Sequence, residues 1–142
     1  MKRILIINGP NLNLLGRREP KIYGSVSFEE HLTTMRRVFP EVELDYYQSN
    51  HEGDLIDKLQ EADGLYDGVV MNPGAYAHTS IALADCIRAI SLPVIEVHIS
   101  DISQREPYRR HSYTAEACKK CIMGKGLKGY DLALGELLGI QV

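Results

Sequence analysis

The chain has 142 residues, of which 44% are apolar and 25% charged, with a formal net charge of −3. Such a chain fits one domain with a real core, and its charge excludes a general nucleic-acid or membrane-surface role, because no basic excess exists to neutralise phosphates. The apolar run near the N-terminus, Ile4 to Ile7, is too short for a signal-peptide core, and no run approaches a membrane span. Three cysteines, Cys86, Cys118 and Cys121, are an odd count, which suits a reducing cytoplasm better than a disulfide framework.

In chain order, strands are predicted over Arg3–Ile7, Glu41–Tyr47, Gly68–Met71 and Pro93–Val97. The second alternates Val42, Leu44 and Tyr46, which marks a half-buried edge strand, while the others are continuous and central. A first helix opens with a capping box, Ser27 to Glu30, and carries Phe28, Leu32, Met35 and Val38 on one face. Leu55, Ile56 and Leu59 mark a second helix. A third runs from about Thr79 to Ile90, stops before Pro93, and is apolar enough to suggest a subunit interface. The last spans about Leu127 to Leu138 and closes near Gly139. Strands alternating with helices predict an α/β fold, a doubly wound parallel sheet in a single domain over residues 1–142.

Ligands in such sheets bind beyond the carboxyl ends of strands, so the loops there carry the functional reading. The first, from Asn8 to Gly24, holds Asn8, Asn11, Asn13, the pair Arg17-Arg18 and Tyr23, punctuated by Gly and Pro. Asparagines offer uncharged donors and acceptors, arginines grip planar oxyanions, and a tyrosine beside arginines loses its proton more easily. After the third strand come Asn72-Pro73-Gly74-Ala75-Tyr76-Ala77-His78-Thr79-Ser80, where Thr79 or Ser80 would cap the helix. The fourth delivers Glu96 and His98 to one side of the sheet, since alternation places residues two apart together. A carboxylate beside an imidazole favours its protonated form, as a general acid requires. Just beyond, the amides of Ile99 and Ser100 are available to a ligand, followed by Arg105, Arg109 and Arg110. The pairs Arg17-Arg18 and Arg109-Arg110, in a chain of net negative charge, suggest a small anionic ligand.

Two letter patterns carry less. Cys118-Lys119-Lys120-Cys121 has redox or zinc spacing, but no second ligand pair accompanies it, and on a strand its thiols would face opposite ways. Gly124-Lys125-Gly126-Leu127-Lys128-Gly129 matches a dinucleotide fingerprint, yet no strand follows it, so a structural turn into the last helix is expected.

The motifs resemble those of the type II 3-dehydroquinate dehydratases. Asn8-Gly9-Pro10-Asn11-Leu12-Asn13-Leu14-Leu15-Gly16-Arg17-Arg18-Glu19-Pro20 with Tyr23-Gly24 is similar to the family's first signature. Gln48-Ser49-Asn50-x-Glu52-Gly53, Asn72 to Ser80, Glu96-Val97-His98-Ile99-Ser100 and Arg109-x-His111-Ser112-Tyr113 follow in the same order over nearly the whole chain. Cys118 to Cys121 and Arg88 to Leu92 depart from the family pattern without touching these motifs. The resemblance implies a flavodoxin-like five-stranded sheet with Cys118–Met123 as its fifth strand, and a homododecamer built as a tetramer of trimers. It implies dehydration of 3-dehydroquinate to 3-dehydroshikimate in the shikimate pathway, with no metal and no organic cofactor. By position, Tyr23 is the base that removes a proton from C2, Arg18 lowers its pKa, and Asn11 helps stabilise the enolate. On the same resemblance, His98, held by Glu96, would protonate the leaving hydroxyl. Asn72, His78, Arg109 and the amides of Ile99 and Ser100 would hold the substrate, and Asp85 would come from a neighbouring subunit.

The residues make sense of that chemistry independently. Abstracting a proton beside a ketone needs a strong base near pH 7, which a tyrosinate among arginines supplies, and the enolate needs fixed dipoles. The alternative is a flavodoxin-like phosphate or nucleotide binder without catalysis. Against it stand the lack of a P-loop and the presence of a Tyr/His acid–base pair that binding alone would not need.

Overall fold

Strands β1 (Lys2–Asn8), β2 (Val42–Gln48), β3 (Gly68–Asn72), β4 (Val94–His98) and β5 (Lys120–Met123) pair in parallel in the order β2-β1-β3-β4-β5. This computed structural model describes residues 1–16 and 26–142, so the expectations placed on Arg17, Arg18 and Tyr23 lie outside the described residues. The helices are α1 (Phe28–Val38), α2 (Glu52–Ala62), α3 (Ile81–Ala89), α4 (Tyr113–Ala117) and α5 (Lys128–Leu138). β2 takes the edge, as its alternating pattern predicts, and the continuous runs take the centre.

Alternation along the strands splits the core into two layers. Ile4 and Ile6 of β1, Val70 of β3 and Val97 of β4 pack against Phe28 and Leu32 of α1 and Tyr130, Ala133 and Leu134 of α5. Leu5, Ile7, Val69, Met71 and Val94 face the other way, against Leu55 and Leu59 of α2 and Leu83 and Ile87 of α3. Helices therefore cover both faces of the sheet, which is why its strands read as unbroken apolar runs.

Local signals set the helix ends. Ser27 and Glu30 form both halves of the capping box at α1, and Ser80, rather than Thr79, accepts from the Leu83 amide to start α3. Gly139 ends α5 in the left-handed region, at φ 72°. Gly124 and Gly126, at φ 76° and 60°, form the turn before α5, so the fingerprint letters are structural.

Three expectations need correction. Val38 is 59% exposed, and Phe39, 5% exposed, takes its place beside Phe28, Leu32 and Met35. At about 100° per residue the stripe returns to its starting angle at Phe39, and Val38 falls about 80° away. The fifth strand covers Lys120–Met123 rather than Cys118–Met123, because Cys118 caps the short helix α4, whose five residues show no period. The two thiols do not face opposite ways, since only Cys121 lies on the strand.

One backbone approach is tight enough to test. A Cβ on Gly9 would lie 2.4 Å from the Pro73 carbonyl oxygen, whereas one on Gly53 in α2 would meet nothing within 4 Å. Gly9→Ala is expected to cost about 1–3 kcal/mol by pushing the β1 and β3 loops apart. Gly53→Ala should stabilise by about 0.5–1 kcal/mol through helix propensity. Denaturant unfolding of both variants measures this, and equal midpoints would contradict it.

Candidate active site

Four of the five strands run one residue past their predicted ends, and each added residue is polar: Asn8, Gln48, Asn72 and His98. A rule that stops a strand at its last apolar residue therefore stops just short of the site. Register aligns Asn8 with both Gln48 and Asn72.

The ends of β1 and β3 are joined from below. Tyr130 of α5, fully buried, donates to Asn8 Oδ1 at 2.7 Å and accepts from Asn72 Nδ2 at 3.0 Å. Asn8 donates in turn to the Tyr46 hydroxyl at 3.3 Å. The Gly74 amide donates to Asn72 Oδ1 at 3.0 Å, so Asn72 is held at both ends and retains one N–H for a ligand. Burial pushes the Tyr130 phenol upward, outweighing the two asparagines, which keeps it a neutral bridge.

On β4, His98 and Glu96 do share one side. His98 Nε2 lies 2.6 Å from Glu96 Oε2, with both side chains nearly inaccessible. Ser112 Oγ donates to the same Oε2 at 2.6 Å, and the Thr114 hydroxyl donates to Oε1. With Nε2 turned to the carboxylate, Nδ1 is the ring nitrogen without a partner among the described residues.

A cavity of about 110 Å³ opens over the ends of β1, β3 and β4, lined by Pro10, Asn11 and Leu12, by Asn72, Gly74, Ala75 and His78, and by His98, Ile99, Ser100, Ile102, Arg105 and Arg109. The carbonyls of Ile99 and Ser100 accept from the Gly126 and Gly124 amides at 3.0 and 3.1 Å. Among the described residues no acceptor meets their own N–H groups, although Ile99 is 4% exposed. Two unpaired amides at a buried strand end form a place for an anionic oxygen. Asn11, the one non-glycine described residue at positive φ (69°), is fixed by the Asn50 carboxamide on its own amide at 3.0 Å.

His78 Nδ1 donates to the His111 carbonyl at 2.8 Å, and its ring stacks on His98 at 6.1 Å between centroids. Burial pushes the His78 pKa down, helped by the His98 and Arg109 charges and opposed by that carbonyl. His78 is thus a neutral imidazole with Nε2 available as an acceptor. Arg105 and Arg109 both bond Glu106, at 3.3 and 3.0 Å. Its carboxyl is pushed down to about 2 by backbone, Tyr108 and Arg109 hydrogen bonds.

The structure therefore brings Asn11, Asn72, His78, His98, Ile99, Ser100 and Arg109 to one cavity, with Glu96 directly behind His98. Asp85 does not join them: on α3 its side chain is 71% exposed and pairs with Arg88 at 3.7 Å. Arg110, expected to act with Arg109, instead donates to the Arg105 carbonyl and does not line the cavity. Sequence reasoning missed the roles of Ser112, Thr114 and Tyr130, whose only signals are a helix cap and an ordinary core tyrosine.

The cysteines also differ from expectation. Cys118 Sγ and Cys121 Sγ lie 4.0 and 3.9 Å from the two Glu96 oxygens. Burial, then the Glu96 charge, pushes both thiols up, Cys121 to about 12. Ligand atoms of Glu96, His98 and Cys121 fall within 4.8 Å of one another, but both Glu96 oxygens are already occupied by hydroxyl donors and the thiols stay protonated.

Comparison with known proteins points to one family. Residues 2–138 match the family model described as dehydroquinase class II. A 3-dehydroquinate dehydratase of Bacillus cytotoxicus is 52% identical over 140 residues, covering 97% of this chain and 96% of that protein. The crystal structure of a type II dehydroquinase from Butyrivibrio crossotus superposes with a TM-score of 0.93 at 46% identity, covering 96% of this chain and 97% of the other. That of the Propionibacterium acnes enzyme gives 0.93 at 39% identity, over 98% and 97%.

The Tyr130 bridge can be tested by stability alone. Tyr130→Phe keeps the ring but leaves Asn8 Oδ1 without its donor, and should cost about 1–3 kcal/mol in denaturant unfolding. The raised phenol adds a pH signature. Below about pH 10 its contribution is fully present, and it is lost as pH rises further, because the unfolded chain ionises first. Stability of Tyr130→Phe should therefore fall less steeply above pH 10, with Tyr46 and Tyr66, both pushed up to about 12, carrying what remains. An unchanged midpoint would contradict the bridge, and an unchanged slope the raised phenol.

Proposed function

Because the chain belongs to the class II dehydroquinase family, we propose that it dehydrates 3-dehydroquinate to 3-dehydroshikimate, a step of the shikimate pathway. The observation that carries this reading is the pairing, in one cavity, of unpaired Ile99 and Ser100 amides with a carboxylate-backed His98. An anionic substrate with a hydroxyl to lose needs both.

Tyr23 takes the proton from C2, with Arg18 favouring the tyrosinate, and the electron pair moves into the neighbouring carbonyl as an enolate. Asn11 and nearby dipoles stabilise that oxygen. The enolate then collapses, the C1–O bond breaks, and His98 gives a proton to the departing hydroxyl, which leaves as water. Support for His98 is its position on the cavity with Nε2 committed to Glu96. The Ile99 and Ser100 amides and Arg109 hold the substrate carboxylate, while the remaining Asn72 N–H and the neutral His78 Nε2 hold hydroxyls.

Asp85 reaches the site of a neighbouring copy, consistent with its exposure on α3, in a homododecamer of four trimers. No helix among the described residues is long and apolar enough to cross a membrane, and the enzyme works in the cytoplasm without metal or organic cofactor.

Turnover is read as new conjugated-enone absorbance on adding 3-dehydroquinate. Tyr23→Phe should lower it by about 10²-fold or more with stability retained. His98→Ala should remove most activity, and Glu96→Gln less, by disturbing imidazole charge and orientation. Near-wild-type turnover of Tyr23→Phe would remove that residue as the base. Activity should also survive chelators and borohydride with substrate present. A reduced substrate adduct on any lysine, found by mass, would replace this mechanism with an imine route.

A further inference from the structure

We propose that Thr114 and Ser112 are positioning residues for the acid step: their two hydroxyls clamp Glu96 as an ionised, fixed acceptor, so that His98 keeps a charged ring with Nδ1–H toward the cavity. The inference rests on the dehydration assigned above and adds the residues that make its acid competent.

Glu96 is 1% exposed, and among the described residues His98 is its only ion-pair partner. A buried carboxylate cannot stay charged on one imidazolium alone, because its remaining lone pairs also lose water. Helix α4 supplies the missing donors. Ser112 is the N-cap of α4, and its Oγ accepts from the Ala115 amide at 3.0 Å. Its own proton is therefore free for Glu96 Oε2, at 2.6 Å. Thr114, fully buried two residues on, donates to the other oxygen, and the two hydroxyls lie 3.2 Å apart. Each carboxylate oxygen thus has its own hydroxyl, which fixes the plane of the carboxylate and hence the rotation of the ring. The protonated thiols of Cys118 and Cys121, about 4 Å away, are weak donors and cannot replace them.

The consequence follows from where the proton sits. Without the Thr114 hydroxyl, Oε1 keeps, among the described residues, only the Cys118 thiol at 4.0 Å, and the buried carboxylate loses a donor that favours its charge. The Nε2 proton then passes to Glu96, leaving a neutral carboxyl and a neutral imidazole. A neutral imidazole holds its Nδ1 proton too tightly to give it to a leaving hydroxyl. Substrate contacts are untouched, since neither Thr114 nor Ser112 lines the cavity.

The test compares Thr114→Val, which removes the hydroxyl at nearly constant volume, with Thr114→Ser, which restores it. Thr114→Val should lower kcat by about 10- to 100-fold with KM changed by less than about 2-fold. Thr114→Ser should stay within about 3-fold of wild type in both. In ¹H–¹⁵N NMR with labelled histidine, wild type and Thr114→Ser should show a downfield Nε2–H of His98 that Thr114→Val loses. Wild-type kcat in Thr114→Val, or equal damage in Thr114→Ser, would overturn the clamp. Should Thr114→Val not fold, Ser112→Ala must show the same loss of kcat at constant KM, and unaltered kinetics there would overturn it equally. If the wild-type chain proved inactive on 3-dehydroquinate, the assigned reaction would fail. The His98 resonance would still decide the clamp, its loss in Thr114→Val supporting it and its persistence refuting it.

Discussion

A parallel sheet ends all its strands on one edge, and there the backbone leaves the ladder with its polar groups unpaired and partly buried. Each such group must find a partner or cost free energy. Gln48 serves the Gly9 carbonyl at 3.1 Å, and the buried polar side chains at the same edge, under the same constraint, are met from distant segments: Tyr130 between Asn8 and Asn72, and Ser112 and Thr114 on Glu96. What stays unpaired among the described residues is specific. The Ile99 and Ser100 amides, one Asn72 N–H, His98 Nδ1 and His78 Nε2 all belong to residues of a single cavity. Satisfying the edge and exposing the reactive groups are one arrangement.

Burial gives that arrangement its chemical force. Water around an imidazole and a carboxylate would weaken their coupling, whereas at 2.6 Å in a dry layer their attraction is far stronger. The same dryness makes an incomplete network costly, so every donor around Glu96 matters more than its size suggests. His78 lies at the opposite pole. Held neutral by burial beside a second histidine, it offers an acceptor, whereas the role proposed for His98 is to give a proton. Two stacked imidazoles with different partners thus serve different ends.

Much of this was legible in the sequence. Unbroken apolar runs gave the strands, alternation put Glu96 beside His98, and the capping box gave the start of α1. Strand ends were misjudged by one residue because the residues that finish them, Asn8, Gln48, Asn72 and His98, are polar for reasons of the site. Val38 was misplaced because a helical stripe drifts with length. The supports of the site were hidden for another reason. Tyr130 reaches Asn8 across 122 positions, and Ser112 and Thr114 meet Glu96 only through α4, a helix too short to announce itself. Nothing local marks a hydroxyl as the partner of a carboxylate on another element. The spacing of the cysteine pair carries no facing rule, because only Cys121 lies on β5 and Cys118 caps α4.

On the proposed reading, the ends of β1, β3 and β4 present one anion-binding, proton-donating cavity. A crystal structure with a non-reactive, carboxylate-bearing cyclic analogue of 3-dehydroquinate tests it most directly. The carboxylate should lie on the Ile99 and Ser100 amides, and the hydroxyl that would leave within hydrogen-bond reach of His98 Nδ1. A carboxylate bound elsewhere, or a His98 ring turned so that Nε2 faces the ligand, would contradict it.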